Sequence, residues 1–445
     1  MDRAGSPATV LDVRRVIDDL PVSAYQLRVA ALCAAVVCVD GFDAQVMGYV
    51  APALARELHI PRAALGSVIS SGIVGMMIGA LAFGPIADRI GRKPVLVASA
   101  VIFGVGSLLT ARVDTIAELT VFRMLTGFGL GGAMPNAIAL TSEYMPQRCR
   151  DAAVMTMFCG FAFGSALAGW VAAAAIGTFG WRSVFIVGGS IPIVVAIALV
   201  AFLPESIRFL VVSGTQESRV SKYLSRIAPG ASFTQQRVVA ADERPRFPVG
   251  RLLAGGRGAG TLLLWLLFFM NLLDLYFLNN WLPTILNDGG IAPGTASLIT
   301  SLFQVGGVVG SLALAGILGG RLSFGGLALI YASAAGFIAL IGASGASIGW
   351  LAVAITLAGV CVIGGQTASN ALAAAFYPTN IRATGIGWAL GVGRVGSILG
   401  PVLGGLLLSY AGNVERLFWA AAVPPLVAAA AAISLRTHHH QDTQP

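Results

Sequence analysis

The chain is 445 residues long, 56% hydrophobic and 11% charged, with a mean hydropathy of +0.83. Soluble domains carry about 25% charged residues, so the composition excludes a soluble globular protein and defines an integral membrane protein. The net charge of +8 resides mainly in connections between apolar runs and is no argument for nucleic acid.

Residues 1–24 form a charged segment with Arg3, Arg14 and Arg15 among Asp2, Asp12, Asp18 and Asp19. It lacks a short apolar core with a small-residue cleavage site, so it does not read as a signal peptide. Apolar runs follow at about 27–50, 65–87, 95–111, 116–144, 152–177 and 183–203. A polar segment, 204–258, separates them from six more at about 259–285, 296–318, 325–344, 348–376, 384–410 and 415–435. A spanning helix needs about 20 mostly apolar residues. The expectation is an all-α membrane protein of twelve transmembrane helices in two pseudo-symmetric halves of six, 25–203 and 259–436, with a tail at 437–445. The five cysteines fall mostly inside apolar runs without metal-ligand spacing, and neither disulfides nor a metal nor a cofactor is expected. The triplet His438 to His440 reads as a solvated tail.

Basic residues orient such a chain, because cytoplasmic loops are enriched in Lys and Arg. With the termini and the even-numbered connections inside, 21 of the 28 basic residues are cytoplasmic, against 5 on the other face: Arg56, Arg62, Arg112, Arg182 and Arg416. Both termini are expected in the cytoplasm. Two arginines, Arg123 and Arg394, fall inside spans.

The two halves repeat. An offset of 232 pairs Pro146 and Arg150 with Pro378 and Arg382, and Gly164-Ser165 with Gly396-Ser397. An offset of 231 pairs Asp43 with Asp274 and Pro52 with Pro283, while Asp40 falls on Asn271. Duplication around a polar loop is the plan of transporters whose halves rock about a site at the bilayer midplane.

Span one carries Asp40-Gly41-Phe42-Asp43 in its middle. Residues three apart share a helix face, and an ionised acid inside hydrocarbon needs a partner or a wet cavity. Between spans two and three stands Gly84-Pro-Ile-Ala-Asp88-Arg89-Ile-Gly91-Arg92-Lys93, where glycines permit tight turning and the charges meet helix ends. These charges suit a latch that holds one conformation of a rocking protein. Span four has Arg123 followed by Gly127, Gly129, Gly131 and Gly132, small residues that allow close helix packing. This stretch resembles the second motif of the major facilitator superfamily, a resemblance that implies proton coupling for Arg123; otherwise Arg123 snorkels to the outer surface. Glu143, at the end of that span, is either a relay acid or a partner of Arg148 or Arg150. Arg394 lies twelve residues past Arg382, about 18 Å deep at 1.5 Å per residue. Its candidate partners are Asp43, Asp274 or an anionic substrate, which a guanidinium binds bidentately. Phe42, Tyr276, Phe277 and Trp388 are the aromatic candidates for stacking a planar ligand.

The segment from Gly84 to Lys93 matches the signature of the major facilitator superfamily. The chain resembles in particular that superfamily's bacterial aromatic acid:proton symporters. The likeness rests on the D-G-F-D pair, Met47 through Pro52, Ser142-Glu143-Tyr144, Met157 through Phe161, Leu203-Pro204-Glu205-Ser206, Trp281 through Thr284 and Tyr377 through Gly400. The resemblance implies import of an aromatic carboxylate such as a hydroxybenzoate together with a proton, by a monomer in the bacterial inner membrane, and a transport role for Asp40 and Asp43. Two departures stand out. Gly319-Gly320-Arg321 lacks the acid that often precedes the arginine between spans eight and nine, and Gly164-Ser165 replaces the Gly-Pro usual in antiporters.

On this reading Asp40, Asp43, Arg123 and Glu143 couple protons, and Arg394, Asp274, Asn271 and the four aromatics contact substrate. Gly84, Asp88, Arg89, Gly91 and Arg92 form the latch. Protonation of Asp43 is expected to release Arg394 for the substrate anion. Rival readings are proton-coupled efflux, a membrane enzyme whose D-x2-D pair binds Mg²⁺, and a receptor that does not transport.

Overall fold

The computed structural model describes residues 11–12, 17–213, 217–227, 238–239, 250–254, 257–317, 323–344, 347–378, 381–410 and 414–441. Gly319-Gly320-Arg321 and the side chains of His438 to His440 lie outside the described set. The first half comprises α1 (Ala24–Glu57), α2 (Arg62–Ile90), α3 (Arg92–Thr110), α4 (Ile116–Gly131), α5 (Ala133–Tyr144), α6 (Gln147–Phe179) and α7 (Arg182–Phe202). Short helices α8 (Ile207–Val212), α9 (Glu217–Ile227) and α10 (Gly250–Leu253) follow. The second half holds α11 (Gly258–Asp288), α12 (Pro293–Ile317), α13 (Phe324–Ala343), α14 (Ile348–Phe376), α15 (Arg382–Tyr410), α16 (Val414–Ala421) and α17 (Val423–Gln441). A two-residue parallel ladder joins Leu11–Asp12 (β1) to Val238–Val239 (β2).

Among the described residues, eleven segments are long and apolar enough to cross a membrane. The twelfth crossing is the pair α4 and α5, one apolar run that the sequence reads as a single span. It breaks at Gly132, where Phe83 and the Ser99 hydroxyl sit where a side chain would project. At the start of α1, Ser23 forms a capping box with Gln26, satisfying two of the free N–H groups that every helix start carries. The Gln26 amide also donates to the Tyr144 carbonyl at 2.7 Å, tying the start of α1 to the end of α5.

The duplication seen in sequence recurs in the packing. In the first half α1 packs on α6, α2 on α4 and α3 on α7; in the second α11 packs on α15, α12 on α14 and α13 on α17. The contacts repeat residue by residue. A methyl group on Gly75 would strike the Met124 carbonyl, and one on Gly306 would strike that of Thr356. Gly79 opposes Phe128 as Gly310 opposes Val360, and Gly164 opposes Cys38 as Gly396 opposes Phe269. Without water to drive association, helices in a bilayer gain by bringing backbones together over small residues.

The halves meet at the end of the bundle remote from the termini. There Gly66 of α2 touches Pro401 of α15, and the Ser70 hydroxyl donates to the Ile398 carbonyl at 2.6 Å. Gly48 of α1 lies against Asn279 and Asn280 of α11, and Gly169 of α6 against Ser301 of α12. Arg62 pairs with Asp288 at 2.8 Å across the same end. Toward the other end no α2–α15 contact of that kind recurs among the described residues, and Gly84, Gly387 and Gly391 lie exposed with nothing within 4 Å of a built Cβ. The space between the halves therefore opens toward the termini.

Replacing Gly75 or Gly306 with Val should push α2 from α4, or α12 from α14, with an overpacking cost of about 1–3 kcal/mol each. Thermal unfolding in detergent should show similar losses of Tm for the two variants, since they occupy equivalent places.

Candidate functional site

The two span-one acids diverge. A step of three residues turns a helix side chain by about 60° from alignment, enough here to give each acid its own arginine. Asp43, 6% exposed, receives two hydrogen bonds from Arg123 of α4, at 2.6 and 2.9 Å. This bidentate pair lies wholly within the first half, and the guanidinium lies alongside Gly72 of α2. The expected partnership of Asp43 with Arg394 is thereby overturned, because both Asp43 oxygens are already committed to Arg123. Arg123 does not snorkel either, being 4% exposed. With Asp43 so engaged, the D-x2-D pair has no open face for a divalent cation.

Asp40, 3% exposed, looks instead toward the other half, and one of its oxygens has no hydrogen-bond partner. Arg394 of α15 is the cation that acts on it. Arg394 is half-buried and bonds no carboxylate among the described residues; it donates to the Met76 sulfur at 3.2 Å and also reaches Tyr276 of α11. Asp40, Met76, Tyr276 and Arg394 thus form a polar junction between the halves. Beside it a cavity of about 30 Å³ is lined by Asp43, Met76, Arg123, Tyr276 and Asn280, room for one or two waters.

The remaining candidates separate. Asn271, 2% exposed, hydrogen-bonds through its amide to Gln366 of α14, which reaches Asn370 at 3.4 Å. Trp388, 43% exposed, stacks on Trp265 with ring centres 5.7 Å apart. Phe42 and Phe277 do not line the space between the halves. The Phe42 ring fills the place a side chain on Gly188 would take, and Phe277 packs against Gly404. Asp274 is sealed at 1% exposure with neither oxygen hydrogen-bonded, so it does not reach a substrate in this conformation.

Glu143 belongs to a surface network and not to the junction. It pairs with Arg92, not with Arg148 or Arg150, and accepts from the Ser206 hydroxyl at 2.5 Å. Arg148 donates instead to the Asp18 carbonyl at 2.6 Å. Glu205 completes the network by accepting from the backbone N–H groups of Arg92, Lys93 and Ser206 at 2.8, 3.1 and 2.8 Å. It caps the start of α3, where helix N–H groups are otherwise unmet. Gly91 makes this possible, having φ +100° and leaving the Glu205 carboxylate the space of a side chain. Gly84, Asp88 and Arg89 lie exposed at the end of α2. Sequence reasoning gave no role to Gln366, Trp265 or Glu205. A lone amide inside an apolar run marks the first, but nothing in sequence announces a carboxylate that serves backbone donors.

Twelve crossings in two repeated halves, with charged side chains converging where the halves meet, define a membrane transporter of the rocking kind. The chain matches the profile of the Major Facilitator Superfamily over residues 33–251 and 264–445. It is 43% identical to the 4-hydroxybenzoate transporter PcaK of Pseudomonas putida over 97% of both chains. It is 41% identical to the gallate transporter of Pseudomonas putida over 95% of both, and 34% identical to the benzoate transport protein of Acinetobacter baylyi over 90% of this chain and 87% of that one. Among solved structures, a bacterial homolog of the human lysosomal transporter Spinster superposes with a TM-score of 0.74 at 16% identity, covering 96% of this chain and 100% of that one. A D-xylose-proton symporter gives 0.71 at 18%, covering 92% and 97%. The chain belongs to the Major Facilitator Superfamily, and to its branch of aromatic-acid transporters. It is a transporter and not an enzyme.

Breaking a buried ion pair on one side leaves a bare charge and costs about 3–5 kcal/mol. Asp43→Asn and Arg123→Gln should each destabilise by that order, and the double variant by clearly less than the sum. Denaturant unfolding of the four proteins in detergent measures the coupling; additive losses would show that the two side chains act independently.

Proposed function

We propose that the protein imports an aromatic carboxylate, of the hydroxybenzoate class, together with a proton, and that the exchange takes place at Asp40 and Arg394. The observation that carries this reading is Arg394, a guanidinium at the junction of the halves that hydrogen-bonds no carboxylate among the described residues. Guanidinium is suited to a planar carboxylate, and the relatives' names supply the class. In the empty protein the Asp40 charge faces Arg394. A substrate anion competes with Asp40 for that cation, and a proton on Asp40 removes the competition. Proton and anion therefore favour each other's binding, which is the thermodynamic content of symport.

Groups on the second half, Tyr276 at the junction and others apart from it, offer a place for the ring. Tyr276 flanks Arg394, while Asn271, Gln366 and Asn370 form an amide row suited to ring hydroxyl groups. Trp388 and Trp265 supply a stacking surface. Arg123 serves as the permanent partner of Asp43 and fixes the wall of the site. Gly84, Asp88, Arg89, Gly91 and Arg92, with Glu143 and Glu205, form the surface network whose contacts change as the halves rock. The protein resides as a monomer in the bacterial inner membrane with both termini in the cytoplasm, a reading supported by the excess of basic residues on the connections at that end.

Purified protein in liposomes, with the outside acidic, should accumulate labelled 4-hydroxybenzoate, and a protonophore should collapse accumulation to equilibrium. Accumulation that persists unchanged removes proton coupling. Arg394→Gln should lower apparent affinity about 10- to 100-fold, as expected for loss of a charged hydrogen-bonding partner, whereas unchanged affinity would place the carboxylate elsewhere.

A further inference from the structure

Asp274 is a buried acid that the exchange at Asp40 and Arg394 leaves unused. It sits at the position of Asp43 in the second half, in a half whose packing reproduces the first contact by contact. The arginine does not repeat. The offset of 232 that carries Met124 onto Thr356 and Gly127 onto Gly359 carries Arg123 onto Ile355, which is wholly buried among apolar side chains. Asp43 thus has a cation in its own half, and among the described residues Asp274 has none. Both Asp274 oxygens lack a hydrogen-bond partner, and no charged group among the described residues acts on it.

The groups nearby are neutral. Tyr331 of α13 lies close to Asp274, and its hydroxyl bonds that of Ser369 on α14 at 2.8 Å. One turn from Asp274 on α11 and from Ser369 on α14, Asn271 bonds Gln366. Arg394 of α15 acts on Asp40 and Tyr276 and not on Asp274. An acid so placed inside a membrane cannot be accommodated as a bare anion, and a proton is the one counter-charge that needs no additional side chain.

We propose that Asp274 is a second proton-carrying residue of the transport cycle, standing protonated in the conformation described here and giving up its proton when the rearranged halves hydrate it. The step breaks the O–H bond of the Asp274 carboxyl and passes the proton to water, leaving a carboxylate that the next cycle reprotonates. The amide rung one turn away, Asn271 with Gln366, lies in the proposed substrate site, so ligand binding and the state of Asp274 are mechanically adjacent. This inference rests on the reading of the protein as a proton-coupled importer.

Two measurements test it. Infrared spectra of the purified protein should contain the carbonyl stretch of a protonated carboxyl that disappears in Asp274→Asn and shifts in Asp274→Glu. If the spectrum instead loses a carboxylate band, Asp274 is ionised and the inference is overturned. In liposomes, protons taken up per substrate should fall by one in Asp274→Asn and return in Asp274→Glu; an unchanged ratio removes Asp274 from the cycle while leaving the symport reading intact. If the unmodified protein itself moves no proton with substrate, the symport reading fails, and the infrared result still reports the state of Asp274. Should the Asn variant not fold, the band shift in the Glu variant decides the matter.

Discussion

The structure depends on how charge is answered where water is scarce. Asp43 and Arg123 neutralise one another within a single half, each presenting two atoms to the other, and the result behaves as one rigid neutral unit wedged between α1, α2 and α4. That frees the neighbouring acid, Asp40, to address the opposite half. Had both acids met the same arginine, the first half would have nothing ionisable left to offer across the junction. One acid is thus answered inside its own half by Arg123, and the other faces Arg394 across the junction.

Much of the fold was legible in the sequence. Length and apolarity set the number of crossings, and common offsets exposed the duplication that the glycine contacts then repeat. Gly132 was read as a packing residue and turned out to break its span. The site was legible only in part. Acids and arginines inside apolar runs stood out in the sequence, yet the arginine that meets Asp43 is Arg123 and not Arg394, because depth along a helix says nothing of rotation about it. The decision lies in close contacts such as Gly72 with Gly127, which draw α2 and α4 together and place Arg123 beside α1. Glu143 was misjudged for a related reason, since its partner Arg92 lies 51 residues away and approaches only when α3 starts where Gly91 makes it start.

Duplication also makes the departures from symmetry informative. Positions that keep their chemistry in both halves, such as Gly75 with Gly306 or Gly164 with Gly396, serve the packing common to both. Positions that diverge carry the division of labour. Asp40 stands opposite Asn271, Arg123 opposite Ile355, and Arg394 opposite Ala162. The first half therefore keeps a closed ion pair and a second acid that faces Arg394. The second keeps an uncommitted guanidinium and a row of amides.

The contact of α2 with α15 at one end has a geometric consequence. Gly66 and Pro401 bring the two backbones together there, while α2 runs on to Ile90 before it ends. That stretch is a lever arm of about 36 Å at 1.5 Å per residue. With the short contact as its fulcrum, a turn of about 20° sweeps the far tip through roughly 12 Å. A mouth wide enough for a single aromatic ring can therefore shut by tilting alone, with no helix needing to unwind.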